Sequence, residues 1–71
     1  MAKLPVLSGK ELITILQKSG FEIVRQKGSH VSLKKAGFRT VVPMHAELAK
    51  GTLLAILKQT GLSKNDLEKF K

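Results

Sequence analysis

The chain has no cysteine, no tryptophan and no tyrosine, and only three phenylalanines and two prolines among its 71 residues. Each absence closes off a class of function. Without cysteine there is no disulfide scaffold and no thiolate chemistry, which fits a reducing cytoplasm. With so few rings, the aromatic platforms on which single-strand-binding proteins stack successive bases are missing. No apolar run approaches the roughly 20 residues that span a bilayer. The start, Met1-Ala2-Lys3-Leu4-Pro5, lacks the apolar segment of a secretion signal. These readings predict a soluble, cytoplasmic chain. At this length it is expected to form one domain, 1–71, burying only roughly 60% of the surface its unfolded form exposes. The 42% apolar content supplies one small core and no deep cavity, so function must lie on a face or in a shallow groove.

Acid is scarce as well, and from one stretch it is absent. Thirteen Lys and Arg against five Asp and Glu give a formal net charge of +8. Between Ile23 and Ala46 stand Arg25, Lys27, Lys34, Lys35 and Arg39 with no acid among them. Glu11, Glu22, Glu47, Asp66 and Glu68 all lie outside that window. A concentrated positive field attracts nucleic acid, an acidic protein or an anionic membrane. Neither long helical pattern sets a basic face against a broad aromatic one, which disfavours the membrane. Contact with phosphate is the reading that remains.

What is present patterns clearly. Ser8-Gly9-Lys10-Glu11 reads as a capping box opening a helix over about 9–19, with Leu12, Ile13, Ile15 and Leu16 on one stripe. Gly20 stands where a left-handed residue closes that helix, letting Phe21 fold back onto Leu16. Three strands follow at about 21–27, 30–35 and 38–43. Gly28-Ser29 between the first two suits a type II′ turn, which needs glycine first. That turn predicts the pairs Lys27–His30, Gln26–Val31, Arg25–Ser32, Val24–Leu33 and Glu22–Lys35. Val24, Val31 and Leu33 then face a core, while Arg25, Lys27, His30, Ser32 and Lys34 face solvent. Ala36-Gly37 makes a second turn, although Ala tolerates positive φ poorly. Its expected phase sends Phe38, Thr40 and Val42 inward and Arg39 outward, and Pro43 ends the strand. After a loop over 44–51, Thr52 is expected to cap a second helix carrying Leu53, Leu54, Ile56 and Leu57, closed by Gly61. Ser63 and Asp66 open a short third helix, with Leu62 and Leu67 as its hydrophobic staple. The expected architecture is α+β, in the order α-β-β-β-α plus a short terminal helix. Both main helices pack on one face of an antiparallel sheet, and the other face is left open.

His30 is the side chain best placed for chemistry. An exposed hairpin histidine is ordinarily a solvated surface residue. Here Lys27 opposite and Arg25 nearby disfavour the imidazolium, so the ring is expected to stay neutral. A neutral ring can take the proton of an RNA 2′-hydroxyl, which then attacks the adjacent phosphodiester while flanking cations stabilise the phosphorane. Ser29 and His30 as nucleophile and base is a poorer reading, because neighbours across a turn rarely reach that geometry and no carboxylate lies near in sequence. A metal site is poorer still. His30, His45 and Glu47 are the candidate ligands, without cysteine or a paired acidic cluster. No metal and no cofactor is expected. His45 reads either as a loop residue capping a strand or helix end, or as an RNA contact on the open face. Lys50, Gly51 and Thr52 lead into a helix N-terminus, whose donors and dipole favour phosphate. Lys35 pairs with Glu22 in this reading. Ile23 and Val41 fall among the outer cations, either by chance or as a place where a protein partner docks.

Gly28-Ser29-His30 after Arg25-Gln26-Lys27, then Val42-Pro43-Met44-His45, then Gly51-Thr52-Leu53 leading to Ile56-Leu57, resembles the HicA toxins of HicA–HicB toxin–antitoxin systems. The resemblance extends from Ser8-Gly9-Lys10 through Gly61-Leu62-Ser63. It implies a fold like the double-stranded-RNA-binding domain and a ribosome-independent mRNA endonuclease whose catalytic histidine corresponds to His30. It also implies a HicB-type antitoxin that covers the active face. In the reading that follows, His30 is the general base or acid. Arg25, Lys27, Lys34 and Arg39 hold the phosphates, and Gly28, Ser29, His45 and Lys50 complete the RNA-binding set. A non-catalytic RNA-binding module of the same fold, and a protein adaptor using Ile23 and Val41, are the alternatives.

Overall fold

A computed structural model describes residues 4–70. Met1-Ala2-Lys3, part of the stretch read above for a secretion signal, lies outside the described residues, as does Lys71. The elements run α1 (Gly9–Lys18), β1 (Glu22–Lys27), β2 (His30–Lys35), β3 (Phe38–Pro43), α2 (Lys50–Thr60) and α3 (Lys64–Lys69). The fold is α+β. The three strands form one antiparallel sheet in the order β1-β2-β3, so the strand bearing His30 is central.

Local chemistry sets the helix ends. The Glu11 amide donates to the Ser8 hydroxyl (3.0 Å) and the Ser8 amide to the Glu11 carboxylate (2.9 Å), which completes the capping box of α1. At the other end Gly20 takes φ +103°, the Phe21 amide reaches the Leu16 carbonyl (2.9 Å) and the Gly20 amide the Gln17 carbonyl (3.1 Å). This pair of bonds is the Schellman closure. Ser63 and Asp66 form a second capping box on α3. Hydrogen bonds from the Ser63 backbone and then from its hydroxyl, with the nearby Lys69 charge, hold the Asp66 carboxyl below the usual carboxylate range.

The core is one cluster of Leu7, Leu12, Ile13, Ile15, Leu16 and Phe21 against Val31, Leu33 and Val42 from the sheet, closed by Leu48, Leu53, Ile56, Leu57 and Leu67. Leu7 and Leu48 join it from outside the regular elements, tied by a bond from the Leu48 amide to the Leu7 carbonyl (2.8 Å). Their burial changes the start of α2. With Leu48 anchored, the helix begins directly behind it at Lys50. Its N-cap is Ala49, which makes no side-chain capping bond. Thr52, expected to be the cap, lies within the first turn. Leu54, expected in the core stripe, is 42% exposed, because α2 rests on the sheet through Leu53, Ile56, Leu57 and Thr60.

The turn-proximal pairing follows the type II′ prediction: Lys27 opposite His30, Gln26 opposite Val31, Arg25 opposite Ser32. Beyond Arg25 the prediction fails. A bulge between Ile23 and Arg25 shifts the ladder, so Ile23 pairs with Leu33 and Glu22 with Lys34. The predicted pairs Val24–Leu33 and Glu22–Lys35 do not form, and Val24, assigned to the core, is 48% exposed. β1 is an edge strand, where an extra residue costs few ladder bonds and increases the twist. Lys35 also departs from its expected partner. Its ammonium donates to the Ser19 carbonyl (2.6 Å), placing a positive charge on the carbonyl end of α1.

The second hairpin keeps the expected phase. Thr40 and Val42 are buried and Arg39 pairs with Lys34 on the outer side, whereas Phe38, expected inward, is 47% exposed at the start of the strand, where its ring lies against Gly61. Ala36 adopts φ +50° to make this turn, a conformation that costs a side-chain-bearing residue about 1–2 kcal/mol. Ala36→Gly is therefore expected to stabilise the protein by about 0.5–1 kcal/mol after allowing for glycine's larger chain entropy. A thermal melt checks it; an unchanged or lower midpoint would show that the turn carries no strain.

Candidate functional site

The open face of the sheet is assembled by register. Gly28 sits at φ +58° in the first turn position, which lets Lys27 and His30 face each other across the tightest hairpin. His30 is flanked by Lys27 on one side and Pro43 on the other. The next row on that face is Arg25, Ser32 and Val41, and the row after it Glu22, Lys34 and Arg39. Alternation along the central strand buries Val31 and Leu33 beneath this face. His30, Arg25, Lys27, Lys34 and Arg39 are all exposed. A shift of one residue would exchange these charges with the core, so burial holds the display in place.

The bulge alters the electrostatics predicted from sequence. It brings Glu22 onto the open face beside Lys34, two rows from His30. Lys35 is withdrawn to the helix side by its bond to Ser19. The cations that remain on the open face are Arg25, Lys27, Lys34 and Arg39, with positive charge undiluted at the His30 end. Of the two apolar residues expected there, only Val41 arrives. Ile23 pairs with Leu33 on the helix side, 46% exposed at the sheet edge.

Ser29 contributes its backbone. Its carbonyl accepts the Met44 amide (2.6 Å), extending the β2–β3 ladder one residue past Pro43. The next carbonyl, that of His45, accepts the Gly9 amide (2.9 Å) at the start of α1. Gly9 can approach so closely only because it has no side chain. A Cβ there would collide with the Pro43 carbonyl oxygen and come within 3.0 Å of the Met44 Cα. The structure thus clamps the Pro43-Met44-His45 segment between the His30 hairpin and α1. Gly9 was not singled out by the sequence reading; the available signal was a glycine directly behind an N-cap, where alanine favours the helix.

Neither the Ser29 hydroxyl nor the His30 ring has a side-chain hydrogen-bond partner among the described residues, so no orienting group supports a serine nucleophile. No group of three or more His, Cys, Asp or Glu side chains gathers as a metal cage among the described residues. Lys50 is exposed as the first residue of α2, outside the strand register. A shallow cavity of about 160 Å³ is lined by Leu7, Glu11, Thr14, Ile15, Lys18 and Phe70, none of them a sheet residue.

A family model for the HicA toxin of bacterial toxin–antitoxin systems matches residues 9–62. The chain belongs to the HicA toxin family. The matched stretch begins at the glycine clamped against Pro43 and Met44, contains the whole sheet with its Gly28-Ser29-His30 turn, and ends just past the Gly61 cap of α2. As a HicA toxin, the chain is the toxin component of a toxin–antitoxin system and has a cognate antitoxin as its partner. No curated protein and no solved structure matches it. Among the described residues no helix of this HicA chain is long and apolar enough to cross a membrane.

Proposed function

We propose that this HicA toxin is an endoribonuclease that cuts mRNA directly, without the ribosome, with His30 as its proton-transfer group. The observation that carries the reading is the placement of one exposed imidazole at the acid-free end of a solvent-facing cationic sheet. Arg25, Lys27, Lys34 and Arg39 hold the phosphates of a single strand laid across this face, and Gly28 and Ser29 let the backbone approach at the tip. Lys50 meets the strand beyond the sheet. His30 accepts the 2′-hydroxyl proton, the 2′-oxygen attacks the neighbouring phosphorus, and the cations stabilise charge on the phosphorane. One such transfer is worth typically about 10²–10⁴ in rate, which suits a toxin that needs only occasional cuts. The antitoxin inhibits by covering this face.

Purified protein incubated with a long mRNA at two salt concentrations tests the proposal. The expected result is fragments, together with RNA affinity that falls as salt rises, by about −0.7 in log–log slope for each neutralised phosphate. RNA that is retarded but left whole would make the chain a non-catalytic RNA-binding module. No interaction with RNA would end the proposal and favour the adaptor reading.

A further inference from the structure

We infer that His45 is a second catalytic residue of the same site, the acid that protonates the leaving 5′-oxygen when RNA is cut. This rests on the RNA-cleavage reading and assigns a role that His30 cannot fill alone. Cutting RNA by its own 2′-hydroxyl moves two protons at one phosphorus. One leaves the attacking oxygen; another must reach the departing oxygen on the opposite side. A single imidazole set to receive the first is poorly placed to deliver the second.

The backbone brings His45 to the right end of the face. Pro43 stands directly opposite His30, and the bond from the Met44 amide to the Ser29 carbonyl prolongs that pairing beyond the strand. His45 therefore lies two residues past the position facing His30, just beyond the end of β3 and on the same end of the sheet as the hairpin tip. A base and an acid placed at one end of the same face, each within a hydrogen bond of about 2.6–3.2 Å of its oxygen, can serve opposite sides of one phosphodiester. His45 is exposed, so a strand can reach it. Its backbone is also held. The Gly9 amide fixes the His45 carbonyl, and α1 presses on Pro43 and Met44 where Gly9 lacks a Cβ.

The step balances. The 2′-oxygen gives its proton to His30 and bonds to phosphorus, the bond from phosphorus to the 5′-oxygen breaks, and protonated His45 gives its proton to that oxygen. The products are a 2′,3′-cyclic phosphate and a 5′-hydroxyl. Exchange with water then resets both rings.

A substrate with sulfur in place of the bridging 5′-oxygen separates this role from simple phosphate binding, because a thiolate leaves without an acid. On an ordinary RNA oligonucleotide, His45→Ala and His45→Gln are expected to lose about 10²–10³ in kcat with KM changed less than about threefold. On the sulfur-bridged oligonucleotide, both should cut within about tenfold of the unmodified protein, while His30→Ala stays inactive. A circular dichroism spectrum confirms that the variants are folded. Normal kcat on ordinary RNA would overturn the assignment. So would a defect confined to KM, or one that the sulfur substrate fails to relieve, since either leaves His45 as a phosphate contact. If the unmodified protein cuts neither substrate, the RNA-cleavage reading falls and this role falls with it.

Discussion

His30→Ala is expected to abolish RNA cleavage and growth arrest while leaving the protein folded and able to bind its antitoxin. The ring is exposed and has no side-chain hydrogen-bond partner among the described residues, so its removal opens no cavity and leaves no buried polar atom unpaired. Surface substitutions of that kind usually change stability by less than about 0.5 kcal/mol. The loss should therefore appear in rate alone, at least about 10²-fold and up to about 10⁴-fold if proton removal limits the reaction. Arg25→Ala and Lys27→Ala should behave differently. They weaken RNA affinity and flatten its salt dependence, because each removes one phosphate contact, and they slow cutting of the bound strand less than loss of His30 does, since the remaining cations still stabilise the phosphorane. Full RNase activity in the His30 variant would remove this histidine from the chemistry, whatever the fate of the rest of the face.

Gly9→Ala is expected to destabilise the protein by about 1–2 kcal/mol, although the residue begins a helix and alanine is the better helix former by about 1 kcal/mol. A Cβ at Gly9 has nowhere to go. It meets the Pro43 carbonyl and the Met44 backbone, neither of which can turn aside as a side-chain end would, and overpacking of this kind costs about 1–3 kcal/mol. The matching substitution in α2 should have the opposite sign. Gly51 is the second residue of that helix, and a Cβ there meets nothing within 4 Å, so Gly51→Ala gains propensity at no steric cost. In a domain of this size each kcal/mol moves the melting midpoint by roughly 4–8 °C. The two variants should therefore melt on opposite sides of the unmodified protein. RNA cleavage should fall with Gly9→Ala beyond what lost stability explains, because the displaced segment carries His45. A Gly9→Ala protein that melts at or above the unmodified midpoint would show that α1 can back away and that the clamp is weak.

Much of this was legible in the residues, and the parts that were not share a cause. Ser8 with Glu11, Gly20 before Phe21, Gly28 before Ser29 and Ser63 with Asp66 act through neighbours no more than a few residues away, and each did what its local pattern predicts. The errors lie where distant segments compete. Val24 was placed in the core by strict alternation from the turn, but alternation assumes an unbroken ladder, and an edge strand gives it up cheaply. Lys35 was paired with Glu22 by the same extrapolation. It is held instead by a helix end sixteen residues earlier in the chain. Thr52 has the composition of a cap, and the anchoring of Leu48 beside Leu7 started the helix ahead of it.

The sequence by itself determined that this is a basic α-β-β-β-α domain with His30 at a hairpin tip, because capping, turn type and strand alternation are short-range and act before the chain is compact. Only the tertiary structure decided that Glu22 joins the open face, that Lys35 leaves it, and that Gly9 presses the His45 segment against the hairpin. Those outcomes depend on which surfaces meet when α1 packs across the sheet, and that meeting is written in shape and backbone contact rather than in any run of adjacent residues.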